Sequence, residues 1–241
     1  MKKCWLYYLM GLLLIILTGL GLSRSPGAAP VGGGGMVRIP DTPPVVALTF
    51  DDGPNPDTTA RLLDELALRE IPATFFLVGE RITGNEELVR RMAREGHQVG
   101  VHSTTHRQLT DLSREDFDRE VALTRAQLTA ILGQGEYWLR PPYGIIDPSV
   151  QQWADSPIIL WSLDSLDWED RNTSRIVSDV LSRVQDGDVI LFHDIYPTTV
   201  DAIVRLADVL LERGYCFATV EQLMSARNIT PQPGALIRRI Q

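Results

Sequence analysis

Two histidines stand four residues apart in His102-Ser103-Thr104-Thr105-His106. On a helical turn residues at that spacing share a face, so both imidazoles could bind one ion. A zinc-protease helix would carry Glu at position 103, where this chain has Ser, so any base must come from elsewhere. An HxxxH pair also arises by chance. Asp51 and Asp52, in TFDDGP at 49–54, add two carboxylates directly after an apolar run. Crowded carboxylates are costly unless a cation or a cationic side chain relieves them, so one can ligate metal while the other acts as a base. The structural alternative is a helix cap and a turn at Gly53-Pro54. Two histidines and a carboxylate would leave positions on an ion for water and substrate, and the same set suits non-haem iron.

Arg140, in RPPYG, follows another apolar run. Its fork could hold a catalytic carboxylate in the ionised state; otherwise it is a surface arginine before a rigid turn. His193 ends VILFH and is either a satisfied core residue or a proton donor at the mouth of a site. A carboxylate nearby raises an imidazole pKa, and Asp167 is placed to do so, with Trp168 and Leu191 as an apolar wall. His97, at a strand start with no matching partner, reads as structural.

These residues need a frame. Apolar, β-rich runs at 44–50, 73–78, 97–101, 136–140, 157–162, 188–193 and 215–219 alternate with amphipathic stretches. Phe117, Val121, Thr124, Leu128 and Ile131 mark one helical face; Ile176, Val177, Val180, Leu181 and Val184 mark another. Asp57 is placed to cap a helix over 58–70. Seven strands alternating with helices predict a parallel α/β sheet, open or closed into a barrel. The unusual polar residues fall at the C-terminal ends of the runs, the edge where parallel α/β architectures gather their sites.

The composition, 44% hydrophobic and 22% charged over 241 residues, fits a globular chain. A net charge of −8 disfavours a nucleic-acid partner, and two cysteines cannot build a metal cluster. Lys2 and Lys3 precede the uncharged run Trp5–Leu22, which as a helix would be about 27 Å long, close to a bilayer core. Residues 1–22 are expected to be a signal anchor with the lysines in the cytoplasm, or a signal peptide cut near Gly27-Ala28-Ala29. Residues 23–43 read as a flexible Gly/Pro-rich linker, 44–228 as the catalytic domain and 229–241 as a tail. The domain is then expected outside the cell, membrane-tethered or secreted, and monomeric.

The ordered motifs TFDDGP, HSTTH, RPPYG, DSLDW (164–168) and LFHD (191–194) make the chain resemble the polysaccharide deacetylase family, also called the NodB-homology or carbohydrate esterase family 4 domain. The resemblance covers roughly residues 44–226. It implies a distorted (β/α)7 barrel and a divalent metal, typically zinc, sometimes cobalt, on Asp52, His102 and His106. It implies Asp51 as general base oriented by Arg140, and the Tyr143 backbone N–H as an oxyanion donor. His193 would be the general acid tuned by Asp167, with Trp168 and Leu191 lining an acetyl pocket. The expected reaction is hydrolytic release of acetate from an N-acetylglucosamine polysaccharide. Peptidoglycan is the first choice, followed by chitin oligomers, poly-N-acetylglucosamine, N-acetylmuramic acid and xylan. A non-catalytic carbohydrate-binding module and an amidase for small amides are the competing classes.

Overall fold

The computed structural model describes residues 42–241. The N-terminal helix expected over 1–22 and nearly all of the linker lie outside the described residues. Among the described residues no helix is long and apolar enough to cross a membrane. Pro44–Gln241 forms one compact unit.

The first run becomes β1 (Val45–Asp51), buried from Val46 onward. Side chains on a strand alternate between faces. Val46, Leu48 and Phe50 therefore meet one apolar cluster, which holds the helix residues Leu62, Leu66, Val200 and Ile203. Ala47 points the other way, into a second cluster with Phe76, Trp138, Ile159 and Val189. Thr49 and Asp51 share the face of Ala47. The alternation thus aims Asp51 inward, above Thr49.

Helix α1 (Thr58–Leu68) follows, then β2 (Thr74–Leu77), the short α2 (Gly79–Ile82), α3 (Glu86–Arg94) and β3 (Gln98–Val101). The α1 cap differs from expectation. Asp57 makes no side-chain cap bond. Asn55 Oδ1 instead accepts the N–H groups of Asp57 and Thr58, at 3.0 Å each. After α4 (Arg114–Leu132) and α5 (Pro148–Trp153) come β4 (Ile158–Ile159) and β5 (Leu163–Asp164). Then follow α6 (Asp167–Asp170), α7 (Thr173–Arg183), β6 (Val189–His193), α8 (Pro197–Glu212), β7 (Cys216–Phe217), α9 (Val220–Ala226) and β8 (Leu236–Ile237).

Among the described residues the named strands pair in parallel, and one isolated bridge, Asp188–Arg239, is antiparallel. The main path runs β3-β2-β1-β6-β5, with β7 beside the start of β1. Single bridges from Val101 to Leu139 and from Leu139 to Ile158 link β3 to β4. The fold is α/β with parallel strands, as expected. The strand expected at 136–140 is reduced to Leu139. Two prolines follow Arg140, and without N–H groups they cannot extend a ladder. The run expected at 157–162 holds only β4, and β5 follows past its end, because the chain changes partner there: Leu160 N–H donates to Ile237 O at 2.8 Å, Ser162 N–H to Val189 O at 3.0 Å. The expected tail contributes β8, paired with β4, and buries Ile240.

His97, just before β3, is buried and accepts the Ala73 N–H through Nδ1 at 3.0 Å. Its Nε2 is buried without a hydrogen-bond partner among the described residues. Burial lowers its pKa to about 4, against the charge of Glu95. The native state therefore binds this proton less tightly than the unfolded chain does. Stability from this group is complete above about pH 6.5 and is lost as pH falls toward 4, by up to about 3 kcal/mol. Urea unfolding at pH 7 and pH 5 should show a steeper loss in the wild type than in His97→Asn, which keeps an acceptor for Ala73. Equal slopes would refute the assignment.

Candidate active site

The inward positions of β1 and β6 face each other at the C-terminal edge. Asp51 is the register partner of His193, and Thr49 that of Leu191. Asp51 and Arg140 are both fully buried, and Arg140 Nη1 donates to Asp51 Oδ1 at 2.8 Å and to Thr49 Oγ1 at 2.7 Å. Nε and Nη2 donate to the carbonyls of Ile159 and Leu160. The guanidinium also lies 4.2 Å from the Phe76 ring centroid. Gly100 is needed beside it: a Cβ there would sit 2.7 Å from the Phe76 ring. Arg140 is therefore an interior residue that aims a carboxylate, and the surface reading is excluded.

Past Asp51 the chain turns. Asp52 has φ 77° and Gly53-Pro54 is cis. Asp52, His102 and His106 each present one ligand atom within 4.8 Å of the others. Asp52 Oδ1 lies 3.1 Å from His106 Nε2 and 3.6 Å from His102 Nε2. The helical turn expected for HSTTH is absent. The segment is a loop with Ser103 at φ 58° and His106 at φ 60°. Non-glycine residues in that region carry strain of order 1–3 kcal/mol each, sustained by surrounding contacts.

The donor set fits a divalent transition metal. His102 Nδ1 lies 2.7 Å from the Arg140 carbonyl. A carbonyl only accepts, so Nδ1 carries the proton and Nε2 turns its lone pair toward Asp52. Burial holds His102 below its ordinary pKa, opposed by the Asp51 and Asp52 carboxylates. Burial would raise the Asp52 pKa, but His106, with the charges of His102 and His193, drives it well below the carboxylate range. Asp52 Oδ1 is buried without a hydrogen bond of proper geometry among the described residues. An ionised carboxylate oxygen left in that state beside two imidazole nitrogens suits a cation.

On the other side, His193 Nδ1 contacts Asp167 Oδ1 at 2.7 Å. Asp167 is fully buried, and its Oδ2 accepts the His193 N–H at 2.8 Å and the Thr199 hydroxyl at 2.6 Å. Burial lowers the His193 pKa, but Asp167, aided by Asp51 and Asp52, raises it to about 9. Leu191 lies one inward position below His193 on β6. Trp168 follows Asp167 and remains 48% exposed. Tyr143, at φ 62° and 60% exposed, sets its ring edge-on to His106 at 4.8 Å. Contacts thus link Asp51, Asp52, His102, His106, Arg140, Tyr143, Asp167 and His193 to one another. Asp164 differs: its Oδ1 closes a local turn on Leu166 N–H.

Two buried acids have no role in the sequence reading: Asp194 enters it only by position, as the last residue of LFHD, and Glu120 not at all. Asp194 accepts from Thr59 Oγ1 at 2.5 Å, and burial raises its pKa to about 7, with the charges of Asp52 and Asp51 adding to the effect. A Cβ at Gly53 would run into that carboxylate. Glu120 hydrogen-bonds the HSTTH loop from α4. The available clue was an acid within the apolar face Phe117–Val121–Thr124.

Known proteins carry the same architecture. The chain is 41% identical over 179 residues to the peptidoglycan-N-acetylmuramic acid deacetylase PdaC of Bacillus subtilis. It is 37% identical over 192 residues to the peptidoglycan-N-acetylglucosamine deacetylase PgdA of Listeria monocytogenes. These matches cover 74% and 78% of this chain but only 38% and 41% of those proteins. This chain therefore spans about two fifths of their length. A chitooligosaccharide deacetylase of Sinorhizobium fredii is 37% identical over 196 residues, covering 74% of this chain and 91% of that protein. A family 4 acetyl xylan esterase from Clostridium thermocellum, solved in complex with a cobalt ion, superposes with a TM-score of 0.78 at 30% identity, over 81% of this chain and 98% of that one. A profile described as polysaccharide deacetylase matches residues 38–156, which takes in the first three motifs. The last two lie beyond it, yet their residues close the same site, and the chain belongs to the polysaccharide deacetylase family.

Proposed function

We propose that this chain hydrolyses N-acetyl groups of an extracellular N-acetylglucosamine polysaccharide, releasing acetate, with peptidoglycan as the first substrate. One observation carries the reading. Three possible cation ligands occur with a buried carboxylate–guanidinium pair and a carboxylate–imidazole pair at the same strand edge. That arrangement supports a proton acceptor and a proton donor acting beside one electrophile. The similarity to peptidoglycan deacetylases supports the polymer, and the basic, then apolar N-terminal sequence supports a site outside the membrane.

A divalent ion, zinc or cobalt, held by Asp52, His102 and His106, would polarise the acetyl carbonyl and acidify a bound water. Asp51 keeps Oδ1 on Arg140, so Oδ2 remains to take the proton of the attacking water. The Tyr143 N–H, presented by the left-handed turn of RPPYG, is the donor for developing oxyanion charge. An amine anion leaves poorly, so the departing nitrogen needs a proton. His193 supplies it from Nε2, while Nδ1–H stays on Asp167. Leu191 and Trp168 form the wall for the acetyl methyl. Atoms and charge balance as water plus the N-acetyl amide giving acetate plus the protonated amine, with no covalent enzyme intermediate.

The chitooligosaccharide deacetylase, matched over nearly its whole length, favours a second reading: shorter N-acetylglucosamine oligomers. Mass spectrometry of acetate loss from defined peptidoglycan fragments, chito-oligosaccharides and acetylated xylan, with and without chelator, tests both. Loss from peptidoglycan fragments that stops with chelator is expected. Turnover of chito-oligosaccharides alone would move the substrate to the second reading. Absence of acetate release from any glycan by metal-loaded protein would overturn the activity.

A further inference from the structure

We infer that Glu120 is a positioning residue for the metal centre, fixing His106 as a ligand through the loop between the two histidines; this rests on the metal site proposed above. Glu120 lies on the buried face of α4, only 7% exposed, and forms no ion pair among the described residues. A carboxylate taken out of water needs compensation. Here all of it comes from the HSTTH loop. Oε2 accepts the N–H groups of Thr104 and Thr105, at 2.9 Å each, and Oε1 accepts the Thr105 hydroxyl at 2.8 Å. The Thr104 hydroxyl donates to the Glu120 carbonyl at 2.8 Å, and Thr124, one turn on, donates to Ser103 O at 3.0 Å. From the other side, the N–H groups of Gly79 and Glu80 in α2 donate to Ser103 O and Thr104 O.

The two histidines depend on this loop unequally. His102 is held without it: its N–H donates to Leu77 O at 2.9 Å and its ring bonds to the Arg140 carbonyl. The His106 ring meets the site residues Asp52, His102 and Tyr143. Its backbone is left-handed, at the far end of a loop that begins with left-handed Ser103. The Glu120 carboxylate binds Thr104 and Thr105, the middle of that loop, to α4, beside the Thr104–Glu120 O and Thr124–Ser103 O bonds. Glu120 touches neither ion nor substrate, so its effect passes through His106.

The test is zinc affinity by chelator competition in full-length protein, for wild type, Glu120→Ala, Glu120→Gln, His106→Ala and the Glu120→Ala/His106→Ala double variant. Loss of such outer support typically weakens metal binding about 10- to 100-fold, and E120A should fall in that range. E120Q should stay within about 3-fold of wild type, because its amide oxygen still accepts the two N–H groups and its amide nitrogen can donate to Thr105 Oγ1. E120A should cost nothing further in the H106A background, since the two act as one unit. The cobalt(II) visible spectrum of E120A should move toward that of H106A. Should E120A not fold, Thr105→Val carries the same test, with weaker binding expected alone and none of that effect beside H106A. Wild-type affinity in E120A, or in T105V where E120A does not fold, would overturn the inference, as would a loss that adds fully to that of H106A. If H106A itself binds zinc like wild type, the metal reading falls instead.

Discussion

Asp51→Asn is expected to lower turnover by about 10²–10⁴-fold while the metal content of the protein stays unchanged. The two outcomes separate because neighbouring carboxylates carry different tasks. Asp52 joins the histidine nitrogens, whereas Asp51 is tied to Arg140 Nη1 at 2.8 Å. An asparagine oxygen can still accept from Arg140, so the geometry survives, but no proton acceptor remains. Some stability is lost, because a buried guanidinium loses its counter-charge, and breaking a buried pair costs up to about 3–5 kcal/mol. Arg140 keeps Thr49 Oγ1 and the Ile159 and Leu160 carbonyls, which places the loss toward the lower end. Turnover must therefore be measured per folded, metal-loaded molecule. His102→Ala is the contrasting variant: it should lose metal and activity together. Wild-type turnover of an acetylated chito-oligosaccharide by D51N would show that another group takes the proton.

The residues of this site were readable because they lie at the ends of strands buried on both sides, which appear in sequence as continuous apolar runs. VVALTFD and VILFH fix β1 and β6, and strand alternation then places Asp51 and His193 on one face. What escaped notice depends on chain reversals and distant partners. Leu139 sits in a run resembling a strand, but Pro141-Pro142 leaves it only single bridges. β8, two residues with Leu236 exposed, has no periodicity to find. The spacing of His102 and His106 matched a helical turn, yet the same juxtaposition arises from left-handed backbone at Ser103 and His106, held by Glu120 sixteen residues from Thr104. Nothing local marks the left-handed backbone at Ser103 and His106. Asp57 looked like the cap of α1, but Asn55, two residues earlier, reaches the free N–H groups.

The second large effect concerns His193. Its pKa of about 9 is a contest between burial, which favours the neutral ring, and Asp167, which favours the cation. Because the native state binds this proton more tightly than the unfolded chain, its contribution to stability is complete below about pH 6.5. It is lost as pH rises toward 9, by up to about 3 kcal/mol. A general acid must hold its proton, so activity should fall on the alkaline side, at or somewhat below pH 9 once a cation on Asp52 adds its repulsion. Asp167→Asn removes the charge but leaves an oxygen to receive Nδ1–H. Burial then dominates, and the alkaline limb should move down to or below the ordinary histidine value. At pH 8 protonation alone then costs roughly 30-fold in kcat/KM. The His193 N–H also loses its acceptor, because the Asn nitrogen replaces Oδ2, costing about 1–3 kcal/mol of stability. A merely structural aspartate would lower stability and leave the shape of the pH profile in place. An unshifted alkaline limb in D167N, measured on folded, metal-loaded protein, would therefore remove His193 as the proton donor that Asp167 tunes.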